Sequence, residues 1–239
     1  MRAKKLILLA AMTFSGTAQA YSIVDLSSVA NYRYDAGGFI GGTTFPTTSA
    51  VDGLVTLDSV PYLLPSLGNY MWHSNAAATS NTATASVDIG VGQYGVDGVY
   101  ALMGTWWGER TTGTYVTVEF FGDGGAYFAM DLDGNVDIRD YHNGSYSNSL
   151  AVGGIAQQVW TNGTQRIDRL WFDLPSAFDT QSLDTIRVTD NGRYGFQRSF
   201  VSAMTVELAT PSPVPEPGSS ALMLAGLGLL GLVLRRRAR

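Results

Sequence analysis

The sequence predicts an all-β protein, built as an antiparallel β-sandwich or jelly roll. Between residues 21 and 208, short runs rich in valine, isoleucine, threonine and aromatic residues alternate with glycine, asparagine and aspartate. This is the pattern of strands joined by tight turns, and no sustained 3.6-residue apolar repeat competes with it. The composition agrees, because 28 glycines, 45% hydrophobic and 15% charged residues in a chain of 239 suit one folded domain with many turns.

Eleven runs are predicted as strands, and a short helical turn is predicted within residues 175–183. Val116, Val118 and Phe120 share one face of the run 115–121, and polar Thr117 and Glu119 share the other, as in a half-buried strand. The predicted strands are Leu54–Leu57, Val60–Leu64, Ala85–Val91, Val99–Met103, Tyr115–Phe121, Ala126–Leu132, Val136–Tyr141, Ile155–Trp160, Ile167–Leu174, Thr185–Thr189 and Phe200–Leu208.

Two tight turns are predicted to join three of these strands into an antiparallel meander. The segment 122–125 is Gly-Asp-Gly-Gly and the segment 133–135 is Asp-Gly-Asn, and both are favoured hairpin connections. Strands in this number, without a repeat of fixed period, fit two packed sheets better than a solenoid or propeller.

Residues 1–20 are predicted to be a secretory signal peptide. A basic start is followed by an apolar run at 6–14 and by Ala18-Gln19-Ala20, the three-part layout of a cleavable leader. The apolar run is too short to span a bilayer, which takes about 20 residues. The mature chain is therefore expected to begin at Tyr21, outside the cytoplasm.

The other end of the chain is predicted to be a membrane anchor. After the body at 21–210, a proline-rich linker occupies 211–217, and an apolar stretch then runs from 218 to 234. Its length is at the lower limit of a transmembrane helix. The arginine cluster that follows is expected to stay in the cytoplasm, so residues 218–239 form a helix and a cytoplasmic tail.

This tail resembles the PEP-CTERM sorting signal of Gram-negative bacteria. The resemblance rests on a proline–glutamate–proline motif, a short glycine-rich apolar helix and a terminal arginine cluster, in that order: Pro215, Glu216, Pro217, Arg235, Arg236 and Arg237. It implies recognition by an exosortase, a membrane-embedded cysteine transpeptidase or protease. It also implies transient anchoring in the inner membrane, processing near the motif, and release to the cell surface or extracellular matrix. Members of this family typically come from bacteria that make extracellular polysaccharide and biofilm.

The charge and cysteine content exclude several partners and chemistries. Residues 21–210 contain eight arginines, no lysine and 19 acidic residues, so this body is not expected to bind nucleic acid. The chain has no cysteine, which excludes disulfides, thiolate metal sites and a cysteine nucleophile.

One acidic segment is a candidate calcium site. Asp131, Asp133, Asn135 and Asp137 alternate with spacer residues, as the first oxygen ligands of a calcium loop do. Val136 stands where that loop has glycine. The alternative interpretation is a plain hairpin turn at 133–135. No other cofactor is expected.

Exposed aromatic side chains are the candidate ligand-binding groups, because an aromatic face can stack on a sugar ring. The candidates are Trp72, Trp106, Trp107 and Tyr141. Adjacent Trp106 and Trp107 are expected to point in opposite directions on an extended chain. The alternative for each tryptophan is core packing. The strand pattern from 88 to 140 loosely resembles secreted jelly-roll carbohydrate-binding modules.

Catalytic signatures are scarce. The chain has two histidines, no G-x-S-x-G elbow and no H-E-x-x-H helix, so the common hydrolase and zinc protease sites are not indicated. A glycosidase carboxylate pair would use Glu109 and Glu119 first. The sequence therefore predicts a non-catalytic exported protein that binds or organises exopolysaccharide. The alternatives are a glycan-active enzyme and a structural, self-associating surface protein.

Overall fold

A computed structural model describes residues 19–32, 53–65, 68–74, 83–107, 112–144, 149–163, 165–192 and 197–209. Almost all regular structure in these ranges is strand. The strands are β1 Ala20–Val24, β2 Leu54–Leu57, β3 Val60–Leu63, β4 Trp72–His73, β5 Ala85–Tyr94, β6 Val96–Trp106, β7 Thr114–Gly122, β8 Tyr127–Asp133, β9 Ala156–Thr161, β10 Arg166–Asp173, β11 Ser182–Asp190 and β12 Arg198–Leu208. A 3₁₀ helix at Ser176–Thr180 confirms the predicted helical turn.

The strands form two main sheets and one hairpin. A six-stranded sheet has the order β1-β12-β6-β10-β9, with β4 also paired to β12, and a four-stranded sheet has the order β5-β11-β7-β8. The hairpin is β2–β3. Every pairing between these strands is antiparallel, so the predicted all-β, antiparallel fold class is confirmed.

One hydrophobic core lies between the two main sheets. Phe120 of β7 and Phe172 of β10 meet there, with ring centroids 5.2 Å apart, and both are fully buried. The strand β7 has the predicted alternation, since Val118 is buried while Thr117 and Glu119 are half-buried. Each such strand contributes every second side chain to this core.

A second hydrophobic cluster lies on the outer face of the six-stranded sheet. The hairpin β2–β3 covers part of that face, and Tyr62 of β3 packs in one cluster with Leu102 of β6 and Ala203 of β12. The Thr205 hydroxyl donates a hydrogen bond to the Pro61 carbonyl oxygen. Because it is covered on both sides, β12 is buried along nearly its whole length, as a central strand of a layered fold should be.

The predicted strand Val136–Tyr141 is wrong. Residues 135–137 form a turn, and the only pairing of this segment consists of isolated bridges such as Thr105 with Asp140. The Asp133 carbonyl oxygen accepts hydrogen bonds from the amides of residues 136, 137 and 138. The Asp137 carboxylate also accepts the Asp133 amide, and side-chain bonding of this kind competes with a strand ladder. Apolar alternation alone does not indicate it.

Two strands were not among the predictions. The strand β1 follows directly on the predicted leader, and β4 has only two residues, which is too short for a periodic signal. No helix among the described residues has the length and apolar character needed to cross a membrane. The predicted leader up to residue 18, the linker and the C-terminal anchor lie outside the described residues.

Candidate functional site

Two stacked tryptophans stand at the end of β6. The rings of Trp106 and Trp107 have centroids 6.4 Å apart and planes 18° apart. Trp106 is half-buried, and Trp107 is 49% exposed. The predicted opposite orientation of the pair is wrong, because Trp107 has a φ of 57°. That left-handed backbone ends the strand and brings the second ring beside the first.

The stacked pair is supported by two further rings. Trp106 meets the His73 imidazole edge-to-face, with centroids 5.2 Å apart, and Tyr32 lies 5.0 Å from His73. His73 is fully buried. Burial lowers the pKa of His73 to about 3, with the nearby Arg198 charge as a smaller cause. His73 is therefore a neutral packing group beneath the tryptophans at physiological pH.

A buried polar network fixes the backbone beneath this cluster. Ser74, which follows His73, donates a hydrogen bond of 2.6 Å to Asp190. The same carboxylate accepts the Ser199 amide at 2.7 Å and the Gly192 amide at 2.9 Å. Asp190 and Ser199 are fully buried. Such a network holds the strand ends β4, β11 and β12 in one arrangement.

Two of the predicted binding residues lie in the interior. Trp72 is 2% exposed in the core between the sheets, and Tyr141 is 9% exposed in the outer cluster. Tyr141 packs edge-to-face on Phe200, with centroids 6.4 Å apart. Burial, followed by the nearby Asp140 charge, raises the pKa of Tyr141 to about 12. Their ring faces are covered by protein, so Trp107 is the most exposed of the four predicted aromatic residues.

The segment that carries Tyr141 is fastened beside the end of β6. The Thr105 amide donates to the Arg139 carbonyl oxygen at 2.9 Å, and the Tyr141 amide donates to the Thr105 carbonyl oxygen at 3.0 Å. Arg139 in turn holds Asp168 of β10 through two hydrogen bonds of 2.7 Å. These contacts fix the end of β6 to β10, in addition to the buried polar network around Asp190.

The predicted calcium ligands have protein partners. Asp131 accepts a hydrogen bond from the Thr117 hydroxyl at 2.7 Å, and Asp133 accepts one from Thr114 at 3.0 Å. Asp137 accepts the Asp133 amide at 3.0 Å. Asn135 has a φ of 64°, as the left-handed residue of the turn. Within the part of the chain that the structure describes, no three His, Asp or Glu side chains converge on a possible metal position.

Of the two candidate catalytic glutamates, the structure describes Glu119 alone. Glu119 lies on the outer face of the four-stranded sheet and accepts a hydrogen bond from the Tyr127 hydroxyl at 2.9 Å. On the same face, Arg187 makes a bidentate contact with Asp88, at 2.6 and 2.9 Å. Glu109 lies outside the described residues.

Comparison with known proteins identifies the C-terminal segment. No curated protein matches the chain. Residues 213–237 match the PEP-CTERM protein-sorting motif, which includes the proline–glutamate–proline and arginine positions from which the resemblance was inferred. The chain therefore carries a PEP-CTERM protein-sorting motif, which implies export, anchoring in the membrane before processing, and an exosortase as the processing partner.

Proposed function

We propose that this protein is a non-catalytic component of the cell surface or extracellular matrix that binds or organises exopolysaccharide. The observation that carries the proposal is the stacked Trp106–Trp107 pair, with Trp107 49% exposed, on a chain whose sorting motif implies export. An exported protein with a presented indole face has the group that sugar rings stack on.

The backbone at Trp107 supports a functional role. A left-handed φ of 57° costs an L-residue roughly 1–2 kcal/mol. Strained residues of this kind cluster at binding sites, where the surrounding structure holds them in place. The aromatic support of Trp106 and the Asp190 network provide that structure. The ring is thus presented in a fixed position, which lowers the entropic cost of binding.

The charge of the body favours a neutral polysaccharide. The segment 21–210 contains 19 acidic residues against eight arginines, so it repels polyanions unless a cation bridges them. Neutral sugar chains bind through apolar ring faces and hydroxyl hydrogen bonds, and neither interaction requires a positive surface. Calcium-dependent binding of an acidic polysaccharide is the alternative, to be tested by titration.

The test compares the wild-type protein with Trp107→Ala in co-sedimentation with exopolysaccharide from the producing organism. Both are isolated as the host secretes them, and Tyr94→Ala is the matched control, because Tyr94 is another exposed aromatic residue, 66% exposed, on β5. Trp107→Ala should lose most of the binding, and Tyr94→Ala should keep it. Absence of binding by the wild-type protein, with and without calcium, would contradict the proposal. New reducing ends in the incubated polysaccharide would favour a glycan-active enzyme instead.

A further inference from the structure

Strand β5 forms an open edge of the four-stranded sheet. It pairs with β11 on one side, and no other strand in the described ranges pairs with it. It has ten residues, whereas β1, β8 and β9, which also end a sheet, have five, seven and six. The backbone amide and carbonyl groups along the second side of such a strand are a template on which a further strand can pair.

The charged and proline residues that usually protect an edge strand are nearly absent from β5. Its sequence contains no lysine and no proline, and Asp88 is its only charged residue. Arg187 of β11 holds the Asp88 carboxylate through hydrogen bonds of 2.6 and 2.9 Å, so this pair has no net charge. The edge therefore lacks the repulsion by which charged edges prevent pairing.

Two valines on the inner side of this edge are incompletely covered. Val87 and Val91 pack against the core but stay half-buried, whereas Ile186 and Val188 of the neighbouring β11 are fully buried. The difference follows from the position of β5 as the last strand of its sheet. A strand added beside β5 would bury the two valine side chains further, and this burial favours its binding.

The order of residues in β5 is self-complementary. Val87 and Val91 are placed evenly on either side of Ile89. In an antiparallel pair of two copies centred on Ile89, each Val87 lies opposite Val91 of the other copy. Each Asp88 then lies opposite Gly90, which has no side chain. The inner side chains of both copies form one apolar row, and no charged side chain faces another of like charge. A second copy of this chain is therefore a partner that the edge fits.

The neighbouring registers are less favourable. A shift by one residue would place the valines of one copy opposite the polar outer row of the other. A pairing centred on Asp88 would bring two carboxylates opposite each other, which is repulsive. A pairing centred on Gly90 would place Val87 opposite Gln93, beyond the bulge in the register of β5 with β11. The apolar pattern and the charge therefore favour the register centred on Ile89.

We infer that the body forms a homodimer in which the β5 strands of two copies pair antiparallel about a two-fold axis at Ile89. The two four-stranded sheets then join into one continuous sheet, with the same surface of each copy at the interface. The contact extends over residues 87–91 of each copy. This inference goes beyond the proposed function and does not depend on sugar binding, so either can fail while the other stands.

The first test places a charge at position 90. Gly90 is exposed, and a Cβ atom built on it would have no neighbour within 4 Å, so the single copy has room for a side chain there. In the dimer this side chain faces Asp88 of the second copy, and the two-fold axis repeats the contact. Gly90→Asp should therefore weaken dimerisation about tenfold, and Gly90→Lys should dimerise at least as tightly as the wild type.

Analytical ultracentrifugation over a range of concentrations measures the dissociation constant of the dimer, on protein isolated as the host secretes it. Ala129→Asp is the matched control, because Ala129 is an exposed residue of β8, at the opposite edge of the same sheet. It adds the same charge to the body but lies away from the interface. Ala129→Asp should leave the dissociation constant unchanged.

The second test needs no variant and so does not depend on the folding of one. Hydrogen–deuterium exchange of the wild type is compared at concentrations below and above the dissociation constant of the dimer. Backbone amides within residues 87–91 that point away from β11 should exchange more slowly at the higher concentration, because they donate to the second copy. The amides of β8 serve as an internal reference and should exchange at the same rate in both samples.

Several results would overturn this inference. One is a wild-type protein that remains monomeric over the whole concentration range. Another is a dimer that Gly90→Asp leaves intact, or that Gly90→Asp and Ala129→Asp weaken equally, since its interface would then lie elsewhere or respond only to net charge. Slow exchange within residues 87–91 that does not depend on concentration would show that another segment of the same chain covers the edge. Each of these results would leave the proposed sugar binding at Trp107 unaffected.

Discussion

The indole planes of Trp106 and Trp107 lie 18° apart and their ring centroids 6.4 Å apart. Neighbouring side chains of an extended strand point to opposite faces, so this stack depends on the left-handed backbone of Trp107, with its φ of 57°. The energetic cost of that conformation and the benefit of the exposed ring belong to the same residue. Substitution can separate the two.

Trp107→Gly and Trp107→Ala are expected to differ in stability but not in binding. Both remove the ring and should lose polysaccharide binding. Glycine adopts positive φ without the clash of a Cβ atom, so Trp107→Gly should exceed Trp107→Ala by about 1 kcal/mol in free energy of unfolding. Urea denaturation measures the difference. Equal stability of the two variants would show that residue 107 is not held in the left-handed conformation.

Asp190 should be far more important for stability than Asp88, although both accept more than one hydrogen bond. Asp190 is fully buried and accepts Ser74, Ser199 and Gly192. Asp190→Asn turns an amide group towards those donors and should cost about 3 kcal/mol. Asp88→Asn is the matched control, because the Asp88 side chain is 55% exposed, and an exposed ion pair contributes under about 1 kcal/mol. Similar losses from the two substitutions, measured by denaturation, would contradict the buried network.

The ion pair of Arg139 and Asp168 should distinguish arginine from lysine. Their side chains are 12% and 4% exposed, and the contact is bidentate. Arg139→Ala leaves the Asp168 carboxylate buried without this partner and should cost about 3 kcal/mol. Arg139→Lys keeps the charge but not the planar fork, so its loss should be intermediate. A stability of Arg139→Lys equal to wild type would show that charge alone suffices.

Strand β7 and the turn at 122–125 followed from the sequence, whereas the strand predicted at 136–141 did not form. Strand β7 shows its burial directly in the alternation of Val118 with Thr117. The failure at 136–141 has a physical cause, since the carbonyl oxygen of Asp133 collects three amide hydrogen bonds that a ladder would otherwise use. Local hydrogen bonds of the turn compete here with the hydrogen bonds of a strand ladder, and apolar periodicity does not report them.

The candidate site was predictable in residue type but not in position. The exposed ring of Trp107 was among the candidates, whereas Trp72 proved to be a core residue. The contact of Trp171 with Gly98 is not predicted from the sequence, because the two residues are distant in sequence and become neighbours only through the register of β6 and β10. The glycine in an otherwise β-forming run was the one available signal, since such a glycine marks a close approach.

Stability should fall in acid because of His73. Its pKa in the folded protein is lowered from 6.5 to about 3, so below pH 6.5 the unfolded chain binds a proton that the folded chain does not. Stability is therefore complete above pH 6.5 and decreases as the pH falls towards 3, with a slope approaching about 1.4 kcal/mol per pH unit. His73→Phe retains a ring between Tyr32 and Trp106 and should flatten this slope. An unchanged slope in that variant would assign the acid sensitivity to other groups.

Calcium should have no effect on the turn at 133–137, because its acidic groups already serve as hydrogen-bond acceptors. Asp137→Ala removes the acceptor for the Asp133 amide and should cost about 1 kcal/mol. Asp137→Asn keeps a carbonyl oxygen at that position and should cost little. If the turn binds calcium, Asp137→Asn should instead lose the stabilisation by calcium, because it removes the ligand charge that a hard divalent cation needs. Thermal unfolding with and without calcium therefore decides between the two interpretations. Stabilisation of the wild type by calcium that is lost in Asp137→Asn would establish the metal site. Unfolding curves that calcium leaves unchanged in both proteins would instead support a turn held by its own hydrogen bonds.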